Sequence, residues 1–390
     1  MAAELGPVLL PDGRVARLGL DGARIASVTP TKEAPTAVAL PLPIDPHLHL
    51  DKTFTAYRCR ASEPGLFGAI KAMDGDKPRW TEDDLRDRMG QALQRIWMAG
   101  YAAVRSHIDW PTPAEPLAWR VLSDAAAETP ELHVERAALV PLDLLGDPGA
   151  GPPIAVRVAD TGGVLGAFAY RNDDLPDKLA RVFDLAERHG LRLDFHVDEG
   201  LDPEARGFDV IADLTRRSGM AGRVLCGHAC SLSVLPEDEL RRSLECAAEA
   251  GVALTVMPTT NLHLQDTKPG RSPRRRGLAP LQEASEAGLS ICIAADNVRD
   301  PFYPHGAYDP LHVLRTAVLA AHLAPTEWLD ALTAAPARAM GLPVPTLVPG
   351  SLADMLLIAA RDWDDAVSDP RVQIRVIRGG QEQAQKETAP

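Results

Sequence analysis

Leu40-Pro41-Leu42-Pro43-Ile44-Asp45-Pro46-His47-Leu48-His49 decides how the rest of the chain is read. An apolar run closes on two imidazoles spaced i and i+2. Side chains on an extended segment alternate with period 2, so His47 and His49 project to the same side. Neutral imidazole is the commonest protein ligand for metals. One His-x-His pair carries little weight by itself. Three later stretches add to it: Asp194-Phe195-His196-Val197-Asp198-Glu199, Cys226-Gly227-His228 and Ala294-Ala295-Asp296. The ordered set His-x-His, His, His, Asp is far rarer than its first element, and it points to a catalytic metal site.

Outward from that stretch, apolar strand-like runs alternate with helical patterns. The strand candidates are 44–49, 103–108, 134–140, 163–169, 192–197, 223–228, 252–257 and 290–295. A helix is expected after Thr81, with Asp84 at cap spacing and Gly100 as its stop; others begin near Asp177, Pro236, Pro280 and Thr326. Strands alternating with helices imply a parallel sheet, and eight of them close into an α/β (β/α)8 TIM barrel over residues 44–342. His47, His49, His196, His228 and Asp296 then fall at or just past the C-terminal ends of their strands. Barrel active sites occupy that face. Position and chemistry agree.

The two ends have another character. Short β-like runs at 7–10 and 23–28 surround the Asp12-Gly13 turn, and Met355-Leu356-Leu357-Ile358 and Val372–Ile377 answer them from the far end. Residues 1–43 and 343–390 are therefore expected to build one small β-sandwich, with a frayed tail after Gly380. The long segment 51–80 is a candidate loop over the pocket. Arg271–Arg276 reads as a solvated turn.

The formal net charge of −13 argues against non-specific binding to nucleic acid or to an anionic membrane surface. Five cysteines in no framework spacing suggest reduced thiols, with Cys226 and Cys230 as small buried hydrophobes. The N-terminus lacks a basic n-region and a continuous apolar h-region, and no apolar run is long enough to span a membrane. A cytoplasmic protein without nucleic-acid or membrane partners is expected, with homo-oligomerisation left open.

A hydrolytic metal site needs enough ligands to hold its ion and one open position for water. Three histidines and a carboxylate suit one divalent ion, Zn2+ or Fe2+. Such an ion lowers the pKa of bound water to about 7, supplying hydroxide at neutral pH. Asp296 is placed to take a proton from that water, and Glu199, three residues after His196, to carry one to a ring nitrogen or leaving group. His107, in Arg105-Ser106-His107-Ile108-Asp109, also ends a strand, with a supporting or a structural role. His263 and His305 fall in loops near the pocket, His305 being the better substrate contact.

These motifs resemble the amidohydrolase superfamily, and within it the cytosine deaminase branch. The resemblance rests on Asp45–Lys52, Arg105–Asp109, His196–Glu199, Gly227-His228, Asn261–Gln265, Pro273–Gly277, Asp300–Pro304 and Gly350–Asp354, and runs over nearly the whole chain. It implies that His47, His49, His196 and Asp296 are the ligands of a single metal. It gives His228 a hydrogen bond to the metal-bound water or hydroxide, and Glu199 the acid/base role. The fourth-strand run Val164–Ala169 has no lysine to bridge two metals, consistent with one ion. Two positions depart from the cytosine pattern. Leu142 stands where the branch uses glutamine to hold the pyrimidine amide, and Asn297 stands in place of a second aspartate. Losing a buried amide partner costs about 1–3 kcal/mol, so a planar nitrogen heterocycle other than cytosine is expected. Phe302 would stack on such a ring. Leu142, Asn297, Phe302 and His305 are the expected substrate contacts. Hydrolytic deamination leads the readings, followed by release of an N-alkylamine from a triazine-type ring, cyclic-amide hydrolysis, and a non-catalytic barrel scaffold.

Overall fold

The computed structural model describes residues 3–383. Four strands come first: β1 (Ala3–Leu9), β2 (Val15–Asp21), β3 (Arg24–Pro30) and β4 (Ala37–Pro41). Eight barrel strands follow: β5 (Ile44–Leu48), β6 (Ala103–Asp109), β7 (His133–Pro141), β8 (Val164–Ala169), β9 (Leu193–Val197), β10 (Val224–His228), β11 (Ala253–Val256) and β12 (Ser290–Ile293). β13 (Met355–Ile358), β14 (Ile374–Arg378) and β15 (Gln381–Glu382) end the described chain. The expected barrel strands match these within a residue or two. Of the expected frayed tail, Gln381 and Glu382 pair as β15 and Gln383 N donates to Val376 O at 2.9 Å; residues 384–390 lie outside the described residues.

β5 to β12 are all parallel, in chain order. The ring closes where β12 meets β5, through a parallel bridge between Leu48 and Asp296 in which Asp296 N donates to His47 O at 3.0 Å. Pro46 has no N–H, so the β5 ladder cannot run unbroken there, and its register shifts between Asp45 and Leu48. The Asp45 carboxylate fills the gap, accepting from His47 N and Ala295 N at 3.0 Å each. Burial pushes its pKa up to about 7.

Period 2 sorts the barrel side chains. On β9, Phe195 stacks on Phe183 of the outer helix Leu175–His189, while Asp194 and His196 face inward among buried polar groups. The terminal strands form one sheet in the order β15-β14-β13-β4-β1-β2-β3. It sits between two cores. Val38, Leu40, Leu356 and Ile358 pack on the barrel, whereas Ala39, Met355 and Leu357, one residue out of phase, join Leu18, Ile25 and Ile377 in the sandwich core. That alternation holds the terminal domain against the barrel.

Thr81 caps the helix Glu82–Met98, accepting from Asp84 N at 3.2 Å, as the spacing required. Segment 51–80 differs from expectation: its second half is a helix, Gly65–Asp76, followed by a short 3-10 turn. Leu66, Ala69 and Met73 recur at helical spacing and pack on Phe302 and Leu264, which gives this cover a fixed seat. The segment expected to be helical from Thr326 is a 3-10 stretch, Pro325–Leu332. All five cysteines are free, and Cys226 and Cys230 are buried. Among the described residues no helix is long and apolar enough to cross a membrane.

Candidate active site

His47, His49, His196 and Asp296 converge at the C-terminal mouth of the barrel. His47 Nε2 and His49 Nε2 lie 3.0 and 3.1 Å from His196 Nε2. Asp296 Oδ1 is 3.2 Å from His49 Nε2 and 3.6 Å from His47 Nε2. Local backbone devices aim these groups. His47 and His49 use the strand period. Gly227 clears space for His47, since a Cβ there would stand 2.8 Å from the His47 ring. His228 pairs in register with the outward-facing Val197, and its left-handed backbone, φ 69°, turns the side chain back over the mouth. Asp296 has φ 63°. Non-glycine residues in this region are strained, and such strain gathers at functional sites.

Burial keeps the imidazoles neutral. It depresses the pKa values of His47, His49 and His196 well below the usual range, with neighbouring imidazoles and, for His49, Lys52 adding to the effect. Neutral imidazole is the ligating form. Both oxygens of Asp296 are buried without a hydrogen-bond donor. Zinc–nitrogen bonds of about 2.0–2.1 Å place tetrahedral donors roughly 3.4 Å apart, close to the separations here. The set therefore fits a divalent cation and leaves Asp296 satisfied by it.

A cavity of about 240 Å³ opens over these groups. Glu199 and His228 enter it beside Asp296. Burial, reinforced by Asp296, raises the Glu199 pKa well above the usual carboxyl range. His228 is pushed down to about 4, burial being the main cause. Its Nδ1 accepts from Asn261 Nδ2 at 3.0 Å, which leaves Nε2 as the protonated nitrogen. Phe302, Phe168, Leu66, Ile70 and Met73 supply apolar wall, and Asn297 a polar edge.

Sequence reasoning placed Glu199, His228, Asp296, Asn297 and Phe302 together, and all five line the cavity. Two expected contacts are corrected. β7 ends at Pro141, so Leu142 starts the short helix Leu142–Leu145 and turns into the barrel core; Leu139 and Pro141 line the cavity instead. His305 is exposed in a separate cleft, stacked edge-on against Tyr303 and His263. His107 lies under His47, ring centroids 4.1 Å apart, and 3.3 Å from Asp194 Oδ2 without hydrogen-bond alignment.

Sequence reasoning missed a charged chain on one wall. Lys52 Nζ meets His49 Nδ1 at 3.0 Å and Asp109 Oδ1 at 2.7 Å; Lys77 bridges Asp109 and Asp74 at 2.9 and 2.7 Å. The two lysines hold the Asp109 carboxyl below its usual range despite its burial. The i+3 spacing of Lys52 from His49 was the available signal.

An imidazole–carboxylate cage at the C-terminal mouth of a (β/α)8 barrel, beside a buried glutamate, defines a metal-dependent hydrolase. Residues 73–381 match the profile described as "Amidohydrolase family", and the chain belongs to that family. It is 35% identical over 344 residues to a pterin deaminase of Rhizobium rhizogenes, covering 86% of this chain and 78% of the relative. Its structure is similar to that of 5-methylcytosine deaminase from Klebsiella pneumoniae liganded with 5-fluorocytosine: TM-score 0.86, 25% identity, covering 100% and 98% of the two chains. The N-isopropylammelide isopropylaminohydrolase of Burkholderia multivorans shares the fold, with TM-score 0.81, 24% identity and 98% of each chain covered. The chain is a hydrolase of carbon–nitrogen bonds other than peptide bonds.

Proposed function

We propose that this chain deaminates a planar nitrogen heterocycle of the pterin or pyrimidine kind, other than cytosine itself, releasing ammonia. The observation that carries the reading is that each of four donor atoms lies 3.0–3.6 Å from two of the others, under a cavity that also receives Glu199. His47, His49, His196 and Asp296 would hold one divalent ion, Zn2+ or Fe2+. When bound, that ion supplies Lewis acidity and acidifies a water to a pKa near 7.

The protein's own groups do the rest. Asp296 accepts a proton as water adds to the amidine-like carbon of the substrate. Glu199, kept neutral by burial, donates its proton to the ring nitrogen next to that carbon. His228 Nε2–H donates a hydrogen bond to the incoming oxygen. As the carbon–nitrogen bond breaks, the hydroxyl proton passes through the carboxylates to the leaving amine, and ammonia departs from the cyclic amide. Phe302 and the apolar cover hold the ring flat and exclude bulk water.

The test is metal analysis of the purified protein, followed by an ammonia-release screen over pyrimidines, purines, pterins, triazines and cyclic ureas. About one equivalent of zinc or iron, with turnover of a pterin or pyrimidine, is expected. Protein that binds no metal and releases no ammonia after addition of Zn2+, Fe2+ or Mn2+ would overturn the reading.

A further inference from the structure

Asp300 is fully buried in the turn that follows β12, and it makes three hydrogen bonds. Its Oδ1 accepts from Phe302 N at 2.8 Å and from Tyr303 N at 3.1 Å. Its Oδ2 accepts from Asn297 Nδ2 at 2.7 Å. A carboxylate is acceptor-only, so the Asn297 amide must turn its NH2 toward Asp300. The Asn297 backbone N–H is engaged with Thr260 Oγ1. Asn297 lines the cavity; with one Nδ2 hydrogen held by Asp300, its free amide groups are Oδ1, its sole acceptor, and the second Nδ2 hydrogen.

We propose that Asp300 is a positioning residue that locks the Asn297 amide with its oxygen toward the cavity, so that the site selects heterocycles presenting an N–H or NH2 donor on the edge facing Asn297. This rests on the heterocycle-deaminase reading above. A freely rotating asparagine would offer oxygen or NH2 by a simple flip and would discriminate weakly. The fixed one leaves its own acceptor unpaired whenever the ligand presents a carbonyl there, and unpaired buried groups are the strongest source of discrimination in a binding site. Asp300 also seats the backbone that carries Phe302, so one carboxylate sets both the stacking face and the polar edge.

The lock can be inverted almost without change of shape. In Asp300→Asn, Oδ1 still accepts from Phe302 N and Tyr303 N, while an NH2 replaces Oδ2. That NH2 opposes Asn297 Nδ2, and the Asn297 amide flips to present a donor to the cavity. Asn297→Asp in the same background accepts from the new NH2 and returns an oxygen to the cavity. Alone, Asn297→Asp sets two carboxylates against each other.

The experiment is steady-state kinetics at about pH 8.5, above the value of about 7 to which burial lifts Asp300, so that this carboxyl is ionised. It uses the heterocycle turned over fastest in the pyrimidine, pterin and triazine panel, with Tm measured for each variant. Asp300→Asn is expected to raise KM about 10-fold with kcat changed less than about 3-fold and Tm not lowered. Asn297→Asp is expected to impair the wild type yet bring KM of Asp300→Asn back to within about 3-fold of normal. That reversal of sign is not expected of a residue that only supports the fold. An unchanged KM in Asp300→Asn, or a double variant no better than Asp300→Asn, overturns the inference while leaving deamination intact. Absence of ammonia release by the wild type across the panel removes the deaminase reading, and this inference with it.

Discussion

Asn261 Nδ2 donates to His228 Nδ1 at 3.0 Å, and that contact decides which imidazole nitrogen carries the proton over the cavity. An amide NH2 can only donate, so Nδ1 is the acceptor and Nε2 the donor. Asn261→Asp reverses the polarity with little change of shape: the carboxylate accepts from Nδ1–H, and Nε2 loses its proton. We expect kcat to fall about 10–100-fold, with metal content and Tm near normal. Asn261→Asp with wild-type kcat would show that the His228 donor is not used.

Glu199 and His196 sit three residues apart and should fail differently when altered. His196→Ala removes a nitrogen within 3.0–3.1 Å of two other imidazole nitrogens, and the protein is expected to lose its metal. Glu199→Gln keeps the shape and the ligands but has no proton to donate; it should retain metal and lose about 10²–10⁴-fold in kcat. Parallel metal analysis and kinetics separate the two roles. Near-normal turnover by Glu199→Gln would remove that residue from the chemistry.

Gly227 is the residue on β10 that His47 packs against, and any Cβ there collides with its ring and stands 3.3 Å from Phe195 O. Gly227→Ala is therefore expected to displace His47 and weaken metal affinity at least about 10-fold, judged from the effect of disturbing ligand supports, in a protein that still folds. Competition against a chelator measures this directly. Unaltered affinity would mean that His47 shifts without cost or is not a ligand.

The barrel was legible because most strands carried a short apolar run, and because His49, His196, His228 and Asp296 fell at or just past run ends; Arg105, Ser106, His107 and Asp194 interrupt β6 and β9 from within. The cover was harder. Residues 65–76 contain three glycines and two aspartates, which weaken a helical signal, and the packing of Leu66 and Met73 on Phe302 supplies what local propensity does not. Leu142 misled because register past a strand end depends on where the next helix begins, one residue after Pro141. His305 misled because proximity in sequence to Phe302 does not fix which side of a turn faces the cavity. Asp300 and Asn261 had no signal of their own. Their importance lies in hydrogen bonds to Asn297 and His228, and such pairings exist only once the strands close.

Asp300 also carries a stability signature. Burial lifts its pKa from 3.8 to about 7, opposed by the Asn297 amide and the Phe302 and Tyr303 N–H groups. The sign follows from proton binding. Between those two values the unfolded chain has already lost its proton while the folded chain keeps it, so folding binds a proton and stability falls as pH rises from about 4 to 7. Below that window the contribution is fully present; above it the contribution is gone. Each pKa unit corresponds to about 1.4 kcal/mol, so the swing is at most a few kcal/mol. Asp300→Asn cannot titrate and should lose this component, its Tm falling less steeply than that of the wild type across the window. Asp45, Glu199 and the other buried carboxyls titrate in both proteins, so the difference between the two Tm profiles isolates residue 300. Superimposable profiles would show that Asp300 is ionised throughout, held so by its three donors.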